Sequence, residues 1–352
     1  MKVIFYVRGN HNEVKGGDLV QLYSTAEYLR KEGIDVELTS DPKKDLSKYD
    51  LVHLFNSPRF EETLAFYENA RKYSKPVAFS TIYWPKDELA VGAASSRSVQ
   101  IIRDSLGIPV AKKYRAMMIK IKAGIKNDKS HKIEKFLFKK SDILLPNSKS
   151  EMEQIEKYYK VNNQYVVVSN AVDVSLFDEV PNKERKDYVL SVGRIERRKN
   201  TLQLIQACKE VERSLVLVGG YEKNDLYAEE CLALVKKYNF KHIDNIDQSK
   251  LVSYYYEAKV HAIAAWYETP GLASMEAACG GCTVVSTDRG STKDYFGNDA
   301  IYCDPLSRSS IKEAIENAFS KKFTLDLRNK IIRNYTWEKA AIDTIKGYNK
   351  IV

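Results

Sequence analysis

Short apolar runs alternate with longer segments in which apolar residues recur every three or four positions, and this rhythm holds along most of the 352-residue chain. Parallel strands buried on both faces and joined by amphipathic crossover helices produce that alternation. In the first half, the runs at 3–7, 36–38, 51–55, 77–80, 143–145 and 165–168 are read as strands. Between the first two, residues 18–32 place Leu19, Leu22, Ala26 and Leu29 on one face and stop at Gly33, which predicts a crossover helix. The second half yields strands at 188–192, 215–218, 260–264, 283–286 and 300–302.

The rhythm lapses at 178–186, a polar stretch containing Pro181, which is read as a linker. A chain of this length exceeds the size at which one core stops growing. The predicted fold class is therefore α/β, with two Rossmann-like doubly wound parallel-sheet domains, 1–180 and 181–336. Ligands of such sheets bind beyond the carboxyl ends of the strands, so a cleft between two facing domains is the expected site.

Composition changes this picture little. Hydrophobic residues make up 44% and charged residues 29%, as in a globular protein, and no run of about 18 apolar residues could span a bilayer. The opening residues suit a short buried strand rather than a secretory signal, so a cytoplasmic location is expected. Five cysteines, at 208, 231, 279, 282 and 303, are odd in number and scattered, which argues against a disulfide framework. Cys279 and Cys282 form a C-x-x-C, but no second ligand pair accompanies it, and its two glycines are explained by a helix stop.

Charge adds one feature. The net charge is +9, and residues 111–140 contain eleven Lys or Arg against two acids, Asp128 and Glu134, which matches the whole excess. Met118, Ile121 and Ile125, then Ile133, Phe136 and Leu137, recur at helical spacing among these lysines. Such a segment suits peripheral contact with an anionic membrane, at the inner face of the plasma membrane, or a solvated helix pair covering the domain. No familiar nucleic-acid motif stands beside it, so nucleic acid is not an expected partner.

The chemistry concentrates in two places. Glu268 and Glu276 bracket Thr269, Pro270 and Gly271, with Glu268 ending a loop and Glu276 lying inside a helix that begins near Gly271. Thr269 is expected as N-cap, Pro270 in the first turn, and Gly280 and Gly281 as the stop. A helix start favours phosphate, and carboxylates beside it are suited to hydroxyls of a sugar or ribose. The second place is the exit of strand 188–192, where Gly193 is followed by Arg194, Arg197, Arg198 and Lys199. Arg194 and Lys199 can place a fork and a point charge on a diphosphate, while Arg197 and Arg198 are read as solvated.

Gly16 and Gly17 follow the first strand and allow close backbone approach to a ligand. The G-x-G-x-x-G of dinucleotide folds is missing, as is a P-loop. The five histidines show no metal-ligand spacing, His53 is read as a core or rim residue, and no D-x-D pair occurs. No metal or other cofactor is called for by these residues.

Together these features resemble the retaining GT-B glycosyltransferases of glycosyltransferase family four. The likeness runs through Gly16-Gly17, Pro146-Asn147-Ser148, Ser169-Asn170-Ala171-Val172-Asp173 with Phe177, Val192-Gly193-Arg194 with Lys199-Asn200, the pair Glu268 and Glu276, and Thr336-Trp337-Glu338. It implies an N-terminal acceptor domain onto which a C-terminal helix, 337–352, crosses back, and a C-terminal domain that binds a nucleotide diphosphate sugar. It implies a metal-independent hexosyltransferase acting with retention. Glu268 would hold donor-sugar hydroxyls and Glu276 the ribose. Arg194 and Lys199 would neutralise the leaving diphosphate, helped by backbone at Gly271 and Leu272, while Gly193, Gly16 and Gly17 line the donor. A UDP-sugar is expected ahead of a GDP-sugar, and the acceptor is expected to be a lipid-linked glycan or polysaccharide of the bacterial surface. The alternatives are a GT-B nucleotide-sugar epimerase and a non-catalytic basic module for glycan or nucleic acid. Two departures stand out: many relatives carry a His where this chain has residues 80–84, and the Gly of the Asn-Gly-Val-Asp pattern is Ala171 here.

Overall fold

The structure is a computed structural model that describes residues 1–11, 16–55, 59–85, 89, 101–102, 105–107, 110–111, 113–114, 126–182 and 184–352. The chain divides into two compact units: Met1–Pro85, Met117–Ala171 and Tyr335–Val352 form one, and Lys86–Ala116 with Val172–Asn334 the other. The break at Ala171 comes several residues before the polar stretch at 178–186. Phe177 explains the difference, because it is buried and its carbonyl accepts from Arg328 of the second unit at 2.9 Å.

In the first unit five parallel strands run in the order β2-β1-β3-β4-β5, with β1 Lys2–Tyr6, β2 Asp35–Thr39, β3 Leu51–Phe55, β4 Val77–Ser80 and β5 Ile143–Leu144. Val3 lies opposite Val36 on one side and Leu51 on the other, so the apolar runs align across the sheet. Val3, Phe5 and Leu51 pack with Leu19, Leu22, Ala26 and Leu29 of helix Gly17–Lys31 and with Trp337, Ala341 and Tyr348 of helix Trp337–Tyr348. On the other face Ile4, Val52 and Phe79 pack with Phe66, Leu137, Phe138 and Met152.

Residues 165–168 do not form the expected strand. Tyr165 makes only an isolated bridge with Leu144. The neighbour β5 is two residues long and is soon followed by Pro146, which has no N–H to continue a ladder.

His53 is fully buried, between the Tyr348 hydroxyl at 2.6 Å and the Ser80 hydroxyl at 2.8 Å, and burial pushes its pKa down to about 3. It is a core residue. Residues 112 and 115–125, including Met118 and Ile121 with Ile125, lie outside the described residues. In helix Lys126–Lys140 the buried stripe is Leu137 and Phe138, while Phe136, expected inside, is 41% exposed.

The second unit has six parallel strands in the order β11-β10-β9-β6-β7-β8: β6 Lys186–Val192, β7 Ser214–Val218, β8 Lys241–Ile243, β9 Ala258–Ala262, β10 Thr283–Thr287 and β11 Ile301–Cys303. Val189 at the centre faces Leu215 and Val260. The edge strand β8 was not anticipated, because Lys241-His242-Ile243 offers no apolar run.

Candidate active site

The site of the second unit is built where β6, β7 and β9 end. Past β6, Gly193 stands at φ +149° and its N–H donates to Val218 O at 2.9 Å, and Ile195 N–H donates to Gly220 O at 3.0 Å. The parallel pairing thus continues beyond the strands. It can do so because residue 219 is Gly: a Cβ there would stand 2.3 Å from Gly193 O. Arg194 is carried on this loop with its side chain exposed. A 3-10 turn, Arg197–Lys199, follows, and Asn200 in the left-handed region (φ 56°) turns the chain into helix Thr201–Glu210. Gly193, Arg194 and Lys199 line one narrow pocket together with Val192, Thr201 and Ile263.

After β9 the chain is pinned from two sides. Trp266 N–H donates to Arg198 O at 2.9 Å, Glu268 N–H to Arg289 O at 3.2 Å, and Ser291 N–H to Glu268 O at 2.9 Å. Glu268 is thereby held inside, 4% exposed, with Lys199 Nζ at 2.6 Å and Arg198 Nη1 at 3.4 Å, both on its Oε1. Burial alone would raise the Glu268 pKa, but the charges of Lys199 and Arg198 reverse this and hold it below the usual carboxylate value. Burial pushes Lys199 down, against the pull of Glu268, and the nearby Arg198 charge adds to that push.

The helix that follows is Leu272–Cys279, and its cap differs from expectation. The Thr269-Pro270 peptide is cis, and the N-cap is Gly271 at φ +92° with no side-chain cap bond. A left-handed N-cap selects Gly at 271, so neither Thr269 nor Pro270 takes the role the sequence suggested. Ser274 and Met275 N–H groups donate to Gly271 O, which leaves the amides of Leu272 and Ala273 in the first turn to meet a ligand. Glu268 Oε2 lies 3.7 Å from where a Cβ on Gly271 would stand, so the second carboxylate oxygen borders the helix start. At the other end Gly280 is the C-cap and Gly281 has φ +82°.

Glu276 is not part of the Lys199 cluster. Its oxygens accept from Tyr255 Oη at 2.8 Å and Gln248 Nε2 at 3.1 Å, and burial raises its pKa against those hydrogen bonds. Gly16 and Gly17 belong to the first unit, where Gly16 is the extended N-cap of helix Gly17–Lys31, beside the Arg8–Asp18 pair at 3.0 Å. All five cysteines are buried and unbridged, and burial pushes Cys279 and Cys282 up to about 12, where a thiol is inert. Among the described residues no group of three or more His, Cys, Asp or Glu could hold a metal.

Sequence reasoning missed Arg198 as a partner of Glu268, and Tyr255 and Gln248 as partners of Glu276. Tyr255 and Gln248 lie on the preceding helix, Gln248–Glu257, and no local spacing links them to residue 276. Arg198 sits beside Lys199, but four neighbouring basic residues gave no sign of which ones turn inward.

Residues 175–336 match the family described as glycosyl transferases group 1. This stretch is a group 1 glycosyltransferase domain. It contains Gly193, Arg194, Lys199, Glu268, Gly271, Leu272 and Glu276, that is, every candidate of the second unit. The chain is 29% identical over 188 residues to a Campylobacter jejuni N-acetylgalactosamine-N,N'-diacetylbacillosaminyl-diphospho-undecaprenol 4-alpha-N-acetylgalactosaminyltransferase, covering 50% of each chain. It is 24% identical over 315 residues to a D-inositol 3-phosphate glycosyltransferase of Corynebacterium glutamicum, covering 77% of this chain and 75% of that one. The chain thus spans about half the length of the Campylobacter protein and, at 56%, of a Mycobacterium tuberculosis glycogen synthase.

Among solved structures, sucrose-phosphate synthase from Thermosynechococcus elongatus superposes with a TM-score of 0.77 at 16% identity, over 99% of this chain and 98% of that one. Anabaena Alr3699/HepE, solved with UDP and glucose, superposes with a TM-score of 0.71 at 14% identity over the full length of both. The group 1 glycosyltransferase domain and its companion unit together have the GT-B fold.

Proposed function

We propose that the chain is a retaining glycosyltransferase that moves a sugar from a nucleotide diphosphate sugar, a UDP-sugar ahead of a GDP-sugar, to a lipid-linked or polysaccharide acceptor of the bacterial surface. The observation that carries this is the buried Lys199–Glu268 pair at 2.6 Å, set between the Gly193–Arg194 loop and the start of helix Leu272–Cys279. An anion site and a hydroxyl acceptor therefore adjoin within one unit. The Campylobacter relative's name places it on a diphospho-undecaprenol substrate, and HepE was solved with UDP and glucose, which supports the acceptor and donor classes. Retention rests on the family-four resemblance.

In this reading the bond between the sugar's anomeric carbon and the diphosphate oxygen breaks, and a bond from the acceptor oxygen forms on the same face. The acceptor's proton passes to the leaving phosphate. Charge grows on that phosphate in the transition state, where Arg194, Lys199 and the amides of Leu272 and Ala273 stabilise it more than in the ground state. Glu268 Oε2 accepts donor-sugar hydroxyls and Glu276 those of the ribose. Gly193 admits the donor in the second unit. No metal or other cofactor is assigned a part. Peripheral contact with the inner face of the plasma membrane is assigned to 111–140.

Thermal unfolding with UDP, GDP and their sugar conjugates tests the donor reading. A ligand at a hundred times its dissociation constant stabilises by about 2.7 kcal/mol, so a base-selective rise in Tm is expected for the wild type and a smaller one for Lys199→Ala. A wild type that responds to none of these ligands would overturn it.

A further inference from the structure

Two cations share one oxygen of Glu268, and they are not equally free to leave it. Lys199 Nζ is 2.6 Å from Oε1, and its Cε is 3.4 Å from where a Cβ on Gly193 would stand, so this side chain already reaches the loop assigned to the diphosphate. Arg198 is tied down. Its Nε and Nη2 contact Glu196 Oε1 at 3.1 and 3.0 Å, Nη1 reaches Tyr267 O at 3.4 Å, its guanidinium lies 5.6 Å from the Tyr267 ring centre, and its carbonyl accepts from Trp266. If Lys199 turns to a diphosphate, a carboxylate only 4% exposed loses its nearest counter-ion. An unpaired buried charge is costly, and that cost would be charged against donor binding.

We infer that Arg198 is a positioning residue: it is the standing counter-ion that keeps Glu268 Oε1 anchored, with Oε2 at the helix start, while Lys199 is drawn to the donor diphosphate. This rests on the roles proposed above for Lys199 and Glu268. In this arrangement Arg198 acts through Glu268, its side chain being bonded to Glu196, Tyr267 and Glu268. Its neighbour Arg197 is turned away from Glu268, with its guanidinium over the Tyr227 ring at 4.9 Å.

The consequence is a dependence between two residues that a purely structural arginine would not show. Calorimetric affinity for UDP and for GDP would be measured in the wild type, Arg198→Gln, Glu268→Gln and the double variant, with Arg198→Lys in both Glu268 backgrounds. Arg198→Gln is expected to weaken the bound diphosphate by about tenfold, because Lys199 then cannot leave Glu268 without stranding it. With Glu268→Gln there is no charge to strand, so Arg198→Gln should cost less than about twofold. Arg198→Lys, which keeps the charge, should restore most of the affinity when Glu268 is present. If Arg198→Gln does not fold, Arg198→Lys carries the test: a smaller loss beside Glu268 and none beside Gln is expected. An equal loss in both backgrounds, or no loss in either, overturns the inference while leaving the donor reading intact. If neither UDP nor GDP binds the wild type, the donor reading falls and this inference falls with it.

Discussion

Gly290 has no room for a side chain. A Cβ there would stand 2.0 Å from Glu268 O and 2.7 Å from Glu268 N, and its φ of +96° is one that L-residues rarely adopt. The atoms in the way are main chain, so nothing can rotate aside, and the isolated bridge between residues 268 and 290 must open. Gly290→Ala is therefore expected to displace Glu268 from Lys199 and to lower kcat/KM by at least about a hundredfold, since misplacement of about 1 Å costs that much. Steady-state kinetics checks it, with circular dichroism to show that the sheet persists; a variant with normal kcat/KM would mean that Glu268 does not need this loop. At this scale the positions of Gly193, Arg194 and Lys199 at a strand exit and of Gly271 at a helix start were legible from the sequence, because Gly beside charge after an apolar run and a Pro-Gly break before a helical run have local signatures. Arg198 was not legible. Its place is decided by Tyr267 and Glu268, some seventy positions away in the chain.

Elements were legible wherever burial alone decided them. Strands β3 and β4 coincide with the apolar runs at 51–55 and 77–80, whereas β8, an edge strand, owes its place to pairing with Val216, Leu217 and Val218. Likewise the sequence could name a helix near Gly271 but not its cap, which depends on backbone torsion rather than on side-chain type. Helix Lys149–Tyr159 shows what a cap can conceal. Ser148 accepts from Glu151 N–H at 3.0 Å, and the buried Glu151 carboxylate accepts from Tyr83 N–H at 2.7 Å, Asn147 N–H at 2.9 Å and the Thr81 hydroxyl. Burial pushes its pKa from 4.5 up to about 7 in spite of those bonds. The folded chain thus keeps, between these two values, a proton that the unfolded chain has released. Its contribution to stability is complete below pH 4.5 and is lost as pH rises through 7, by roughly 3 kcal/mol in all. Glu151→Gln cannot titrate, so the stability of the wild type relative to this variant should fall between pH 5 and pH 8. Urea unfolding of both at each pH measures the difference, and parallel pH profiles would show that Glu151 is ionised throughout.

For the molecule as a whole, part of the basic excess has a physical address: helix Lys126–Lys140 carries six lysines against Asp128 and Glu134. On helix Lys126–Lys140 the exposed residues Lys129, Lys132, Lys135, Phe136, Lys139 and Lys140 fall within an arc of about 140° at a hundred degrees per residue, and the buried Leu137 and Phe138 point the other way. Five lysines around one exposed aromatic ring are what an anionic lipid surface attracts, each lysine being worth about 1 kcal/mol near that surface and the attraction fading within a Debye length. Among the described residues no helix is long and apolar enough to cross a membrane. Contact made by these lysine charges would be salt-dependent. Flotation with phosphatidylserine vesicles should then carry the protein at low salt and release it as salt rises. Substituting Lys132, Lys135 and Lys139 by Gln removes about 3 kcal/mol of attraction, enough to weaken vesicle binding by more than about a hundredfold. The thermal shift with a nucleoside diphosphate should stay as it was, because the lysines belong to the first unit and the residues proposed to hold the diphosphate to the second. Vesicle binding that survives the triple substitution would move the contact to another surface, and a wild type that never floats would leave this helix as a solvated face of its domain.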